Sequence, residues 1–146
     1  MNEDMQVVIN FYKKFDRYKD NTDEEIYQHI LPSFQLKQYK IHKDGENVIA
    51  FTNWAFLSKE AENRYLKTTE LEPGDWNSGS RPWHIDTVCI GNIIKVHRWT
   101  KKYFTKLLGL NKYVSWLRVS PNGEVYRKTK RFTKGHYGLE LSLIHI

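Results

Sequence analysis

Apolar residues recur along the chain with two alternating periods. Val7, Val8, Phe11, Tyr12 and Phe15 keep helical spacing and predict a helix over Met5–Arg17. Thr22-Asp23-Glu24-Glu25 reads as a capping box and predicts a second helix that runs to about Leu31 and stops before Pro32. Lys37–His42 and Asn47–Trp54 are strand-like and joined through Asp44-Gly45, a hairpin signal. Ser58 can cap a third helix through about Lys67, and Thr68–Pro82 reads as a long polar loop. Trp83–Ile90 is the central apolar strand. After Gly91-Asn92, helical spacing resumes at Ile93, Ile94, Val96, Trp99, Tyr103, Phe104, Leu107 and Leu108. Tyr113–Val119 and Glu124–Phe132 form a second hairpin across Pro121-Asn122-Gly123. The order α α β β α β α β β predicts a mixed α/β layer fold around a central sheet, in one domain of residues 1–140.

The last six residues, Leu141-Ser142-Leu143-Ile144-His145-Ile146, translate the mosaic-end adapter used in transposase-based DNA libraries. Adapter read-through is expected there, with the natural C-terminus missing; an ordinary apolar tail is the alternative. These residues are set aside from fold reasoning.

Composition narrows the function classes. Hydrophobic residues are 40% and aromatic residues 14%, as in a folded domain. No apolar run approaches the roughly 18–20 residues of a membrane helix, and Asn2-Glu3-Asp4 does not open a signal peptide. Cys89 is the only cysteine, which leaves no intrachain disulfide and no thiolate metal site. A cytoplasmic setting is expected. The net charge of +6 is uneven. Lys95–Lys134 holds twelve basic side chains and one acid, net +11; elsewhere eleven basic and sixteen acidic residues give −5. Such a half should steer an acidic partner by long-range attraction, or it is simply a solvated basic face.

Asp86 is the residue on which the chemistry depends. It lies between Ile85 and Val88 in the central strand, where a carboxylate is costly unless it is paired or hydrogen-bonded. His84 stands two residues earlier, so strand alternation predicts that both face one side. His29, near the end of the second helix, is the other histidine in view. His29, His42, His84 and His97 lack metal-ligand spacing, and Gly74, Gly79 and Gly91 make no phosphate-binding fingerprint, so no metal is expected. Trp99, Tyr103 and Phe104 among Arg98, Lys101 and Lys102 mimic a nucleic-acid face, but that spacing fits core aromatics better.

Asn53-Trp54-Ala55-Phe56-Leu57-Ser58 and Asp75-Trp76-Asn77-Ser78-Gly79-Ser80-Arg81-Pro82-Trp83-His84-Ile85-Asp86 resemble segments of the toxin-activating lysine acyltransferases, the enzymes that modify RTX protoxins. Leu31-Pro32 and Gln38-Tyr39 match as well, so the resemblance runs from about Leu31 to Val125. It implies a fold similar to the GCN5-type acetyltransferases, with a mostly antiparallel mixed sheet flanked by helices. It also implies transfer of a fatty acyl group from acyl-acyl carrier protein to an internal lysine of a protoxin-like acceptor, without metal or bound cofactor. A homodimer stays open. By the same resemblance Asp86 falls on the family's catalytic aspartate, and Arg118 on a strand arginine associated with the acyl-donor site. Ser80 replaces a family aspartate. The family's histidine position is occupied by Tyr18, and its nearby asparagine position by His29. Either His29 or His84 is then the base that Asp86 orients. The backbone N–H groups near Val88–Gly91, those of Val88 and Gly91 included, are the expected donors to the thioester oxygen. The alternative is a catalytically impaired relative that binds an acyl chain, a carrier protein or nucleic acid.

Overall fold

The computed structural model describes residues 3–119 and 125–132. Four helices and five strands follow one another as α1 (Glu3–Tyr12), α2 (Asp23–Gln35), β1 (Tyr39–Asp44), β2 (Asn47–Leu57), α3 (Lys59–Thr68), β3 (Arg81–Cys89), α4 (Ile93–Leu108), β4 (Tyr113–Val119) and β5 (Val125–Phe132). A short 3₁₀ turn, Pro73–Asp75, interrupts the loop before β3. The order is the one the hydrophobic pattern predicts. The expected adapter residues 141–146 and the turn at Pro121-Asn122-Gly123 lie outside the described residues.

The five strands form one sheet in the order β1-β2-β3-β4-β5. All neighbours are antiparallel except β3 and β4, which run parallel through the bridge Trp83↔Ser115. A parallel pair needs a crossover, and α4 supplies it. The mixed sheet is therefore antiparallel apart from this one junction.

Strand alternation divides the helices between the two faces. On β2, Phe51 packs with Val8, Ile9 and Tyr12 of α1 and Ile26, Ile30 and Phe34 of α2. Ala55 and Leu57 share that face and meet Ala61 and Tyr65 of α3 with Trp76 and Trp83. Trp54 points the other way, onto Phe104 of α4 and Val114 of β4. Trp99 and Tyr103 stack on each other at 4.9 Å and close over Trp54, so the aromatics of α4 pack against the core, as their helical spacing predicts. Among the described residues no helix is long and apolar enough to cross a membrane.

The strands shift by one to three residues at their ends, β2 running on to Leu57, and two helix ends differ more tellingly from the sequence expectation. Helix α1 ends at Tyr12, not Arg17; beyond it the chain turns through three-residue bonds such as Phe15 N–H to Tyr12 O. Helix α2 runs through Pro32 to Gln35. A proline inside a helix costs roughly 3 kcal/mol. Here the carbonyl it orphans belongs to exposed Gln28, and the extra turn buries Phe34, which stacks 4.0 Å from Tyr39 and 5.9 Å from Phe51. Ser33 Oγ in the same turn also donates to Ile30 O. Tertiary burial thus overrides the local stop signal.

The candidate active site

The long loop before β3 serves to set that strand in place. Arg64 of α3 grips the buried Asp75 with a two-pronged ion pair of 2.9 and 2.8 Å. Hydrogen bonding to Arg64, ahead of burial which opposes it, holds the Asp75 carboxyl below its ordinary range. Ser78 Oγ donates to Asp75 O and accepts from Ser58 N–H, while the N–H groups of Ser78 and Gly79 both reach Phe56 O. A Cβ on Gly79 would stand 2.6 Å from the backbone of Leu57 and Ser58, so no other residue fits. Trp83 Nε1 then donates to Glu62 of α3.

Along β3 the register slips. Trp54 pairs with His84 and Thr52 with Thr87, so Asn53 stands opposite both Ile85 and Asp86. This β-bulge resets the alternation. Trp83 and Ile85 pack toward α3, and Asp86 is re-aimed to the same face, toward α1 and α2. The side chain of Asn53 satisfies the bulge: its Oδ1 accepts from Asp86 N–H at 2.9 Å, and its amide reaches Ser33 Oγ on α2. Thr52 Oγ1 donates to Asp86 O.

His84 is therefore not beside Asp86. Its ring packs edge-on to Phe104 at 4.9 Å, on the α4 face. The expectation that both share one side assumed unbroken alternation, and the bulge between them breaks it.

His29 is the histidine that the fold delivers. From α2 its Nε2 lies 2.6 Å from Asp86 Oδ2. Capping fixes the helix: Thr22 Oγ1 accepts from Glu25 N–H, and Glu25 accepts from Thr22 N–H. Lys13 pairs with Asp23 and ties the helix start to the end of α1. Asp86 is 7% exposed, whereas the His29 side chain keeps 38% of its surface open. The carboxylate is sealed and the imidazole is presented to solvent.

The electrostatics follow from that placement. Attraction to Asp86 raises the His29 pKa, against burial and against the Arg17 guanidinium. Burial by itself would raise the Asp86 pKa, but the charge and hydrogen bond of His29 and the hydroxyl of Tyr12 together bring it below the ordinary carboxylate value. Each partner thus favours the charged form of the other, an imidazolium beside a carboxylate.

Tyr12 also reaches Asp86 Oδ2, donating its hydroxyl at 2.7 Å. Tyr18, buried, lies 4.9 Å from the Tyr12 ring and 5.8 Å from the His29 ring, with Arg17 over its own face. Burial and the nearby Asp86 push the Tyr18 pKa up, which removes it as a base. Sequence reading missed Tyr12, because it fits the helical stripe of α1 as a core aromatic.

The remaining expected site residues are spread out. Val88 is half-buried against the α1–α2 core. Gly91 is exposed with φ +83°, at the turn from β3 to α4. Between them the Ile90 N–H is taken by Ile49 O at 2.8 Å, so that donor is lost to any oxyanion. Arg118 is exposed on β4.

A solvent-facing imidazole backed by a sealed carboxylate, in an α/β sheet, is the equipment of an enzyme that takes a proton from a nucleophile. The model of the RTX toxin acyltransferase family matches residues 5–133, and the chain belongs to that family. It is 31% identical over 120 residues to a leukotoxin-activating lysine-acyltransferase of a Pasteurella haemolytica-like species, covering 75% of this chain and 72% of that one. It is 39% identical over 62 residues to an RTX-II toxin-activating lysine-acyltransferase of Actinobacillus pleuropneumoniae, covering 42% and 39%. A protein-lysine myristoyltransferase of Escherichia coli is 35% identical over 77 residues, covering 51% and 45%. The matches to the last two span less than half of those relatives' length.

Proposed function

We propose that this protein is a protein-lysine acyltransferase that moves a fatty acyl group from acyl-acyl carrier protein to an internal lysine of a protoxin-like acceptor, in the cytoplasm. The observation that carries this reading is the 2.6 Å contact between His29 and Asp86, with 38% of the His29 side chain exposed. A free lysine has a pKa near 10.4, so almost none is nucleophilic at neutral pH. Neutral His29 takes a proton from the acceptor ammonium, and Asp86 steadies the imidazolium. The freed amine nitrogen attacks the thioester carbon, the C–N bond forms and the C–S bond breaks. The thiolate leaves with the proton that His29 took, and the second proton on the attacking nitrogen passes to solvent as the amide forms. The Gly91 backbone N–H is our remaining candidate for holding the carbonyl oxygen, since the Ile90 N–H is taken by Ile49 O and Val88, two residues earlier, pairs with Phe51 in the same phase of the β2 ladder.

Two further features support the reading. The change from antiparallel to parallel pairing at β3–β4 fits a GCN5-related acetyltransferase-like fold, with the pantetheine arm entering beside β3 and Arg118 near the donor. Helix α4 carries Lys95, Arg98, Lys102 and Lys106 on one exposed stripe, has no acid of its own, and none of the four is ion-paired among the described residues. That stripe suits an acidic carrier protein.

Mixing the protein with acyl-loaded carrier protein and an acceptor, and following the acceptor's mass, tests the reading. Transfer that falls at least about 100-fold in both His29→Ala and Asp86→Asn supports it. Unchanged transfer in either variant overturns it. The presence of Tyr18 where the family has its histidine favours a second reading, a carrier-binding module. Tight carrier binding with no turnover at any pH would establish that instead.

A further inference from the structure

We propose that Tyr12 is a positioning residue of the dyad: its hydroxyl, donated to the same carboxylate oxygen that holds His29, fixes Asp86 against the imidazole and sets how strongly that oxygen draws the imidazole's proton. The backbone of Asp86 is held from β2, through Asn53 and Thr52. Those bonds do not touch the carboxylate. Tyr12 and His29 do, at 2.7 and 2.6 Å, and both on Oδ2.

Tyr12 is well suited to that task. It is the last residue of α1 and has no exposed surface. Its ring is fixed on three sides by edge-to-face contacts, with Tyr18 at 4.9 Å, Phe51 at 5.7 Å and His29 at 6.1 Å. A buried phenol next to a carboxylate does not ionise. Burial first, then the charge of Asp86, pushes its pKa well up, so the hydroxyl remains a donor across the working range.

The consequence has a sign. A hydrogen bond to Oδ2 shares out the carboxylate's negative charge and leaves less of it to hold a proton on His29. Tyr12 therefore moderates a base that Asp86 alone would hold too tightly. The other charged or titratable groups facing this imidazole are Arg17 and Tyr18 from the α1–α2 connection, and Tyr65 of α3 feels the same carboxylate. Glu25, one turn earlier on α2, is engaged in the helix cap.

The test uses the full chain and two variants at position 12. In Tyr12→Phe, which keeps the ring, the His29 imidazole should titrate at a pH higher by roughly half a unit to one unit, read by NMR of the ring signals. A site-specifically incorporated 3,5-difluorotyrosine, a stronger donor, should move it the opposite way and report on the idea even if the phenylalanine variant folds poorly. An imidazole titration unmoved in folded protein of either variant overturns the proposal, because a merely structural tyrosine would lower the melting temperature and leave that titration in place. The kinetic counterpart rests on the acyl-transfer reading: Tyr12→Phe should lower turnover and shift the acid limb of the rate upward. In an Asp86→Asn background the same change should add nothing. If wild-type protein shows no turnover while the titration moves, the acyl-transfer reading falls and the positioning role stands. If turnover is robust and the titration is unmoved, the positioning role falls alone.

Discussion

At the scale of single residues, one carboxylate organises the site. Four side chains meet at Asp86: Asn53 and Thr52 hold its backbone, and Tyr12 and His29 hold its Oδ2. The opposed shifts of the pair make a pH prediction. His29 must be neutral to act, and Asp86 raises its pKa, so kcat/KM should climb with pH through a value above about 6.5. A pH–rate profile checks this, and Asp86→Asn should lower both the plateau and the pH of that limb. Stability follows the same shifts. The raised His29 pKa contributes stability that is complete below about 6.5 and lost as pH rises through the folded value. The lowered Asp86 pKa contributes stability present above about 4 and lost as pH falls. The pair should therefore stabilise most between those limits, and thermal melts of wild type and His29→Ala should differ most there. Asp86 was legible as the key residue because a carboxylate in an apolar strand demands an explanation. His29 was legible as a candidate only, since no local pattern distinguishes it from an ordinary helix-end histidine. Half-buried His42 shows the opposite environment. It packs on Trp99 with no carboxylate partner among the described residues, and burial, then Lys40, pushes its pKa down to about 4.

At the scale of elements, the caps and the bulge decide where these residues point. Thr22 caps α2, which carries His29, so Thr22→Ala should cost about 1 kcal/mol of stability. Activity should fall by no more than the helix loosens, as denaturant titration beside a rate assay would show. Gly79 is less forgiving. Any side chain there collides with the β2 backbone at 2.6 Å, so Gly79→Ala should destabilise by roughly 1–3 kcal/mol, visible as a lowered melting temperature. The capping box, the hairpin at Gly45 and the α4 stripe were readable because each is a local signal. The β3 bulge left none, and that is why His84 was expected on the wrong face. The run through Pro32 likewise depends on Phe34 finding Tyr39 and Phe51, partners that are remote or lie beyond the helix.

At the scale of the whole molecule, charge and topology are arranged around the β3–β4 junction. The basic stripe of α4 belongs to the crossover that joins those two strands. Replacing Lys95, Arg98, Lys102 and Lys106 with Glu should raise KM for acyl-loaded carrier protein at least about tenfold. The melting temperature should hardly change, and the loss should be largest at low salt. Transfer from a small acyl-pantetheine donor, which lacks the acidic surface, should be spared.

The hydrophobic periods alone determined the order of helices and strands, the layered α/β class and the strand that bears the buried carboxylate, because each depends on neighbours a few residues apart. The resemblance of the Asp75–Asp86 stretch pointed to the family that the match over residues 5–133 then showed. Only the tertiary structure decided which histidine serves Asp86. That choice depends on a slipped register in β3, a helix continued past its proline and a tyrosine 74 positions away in the chain, and burial across the molecule sets all three.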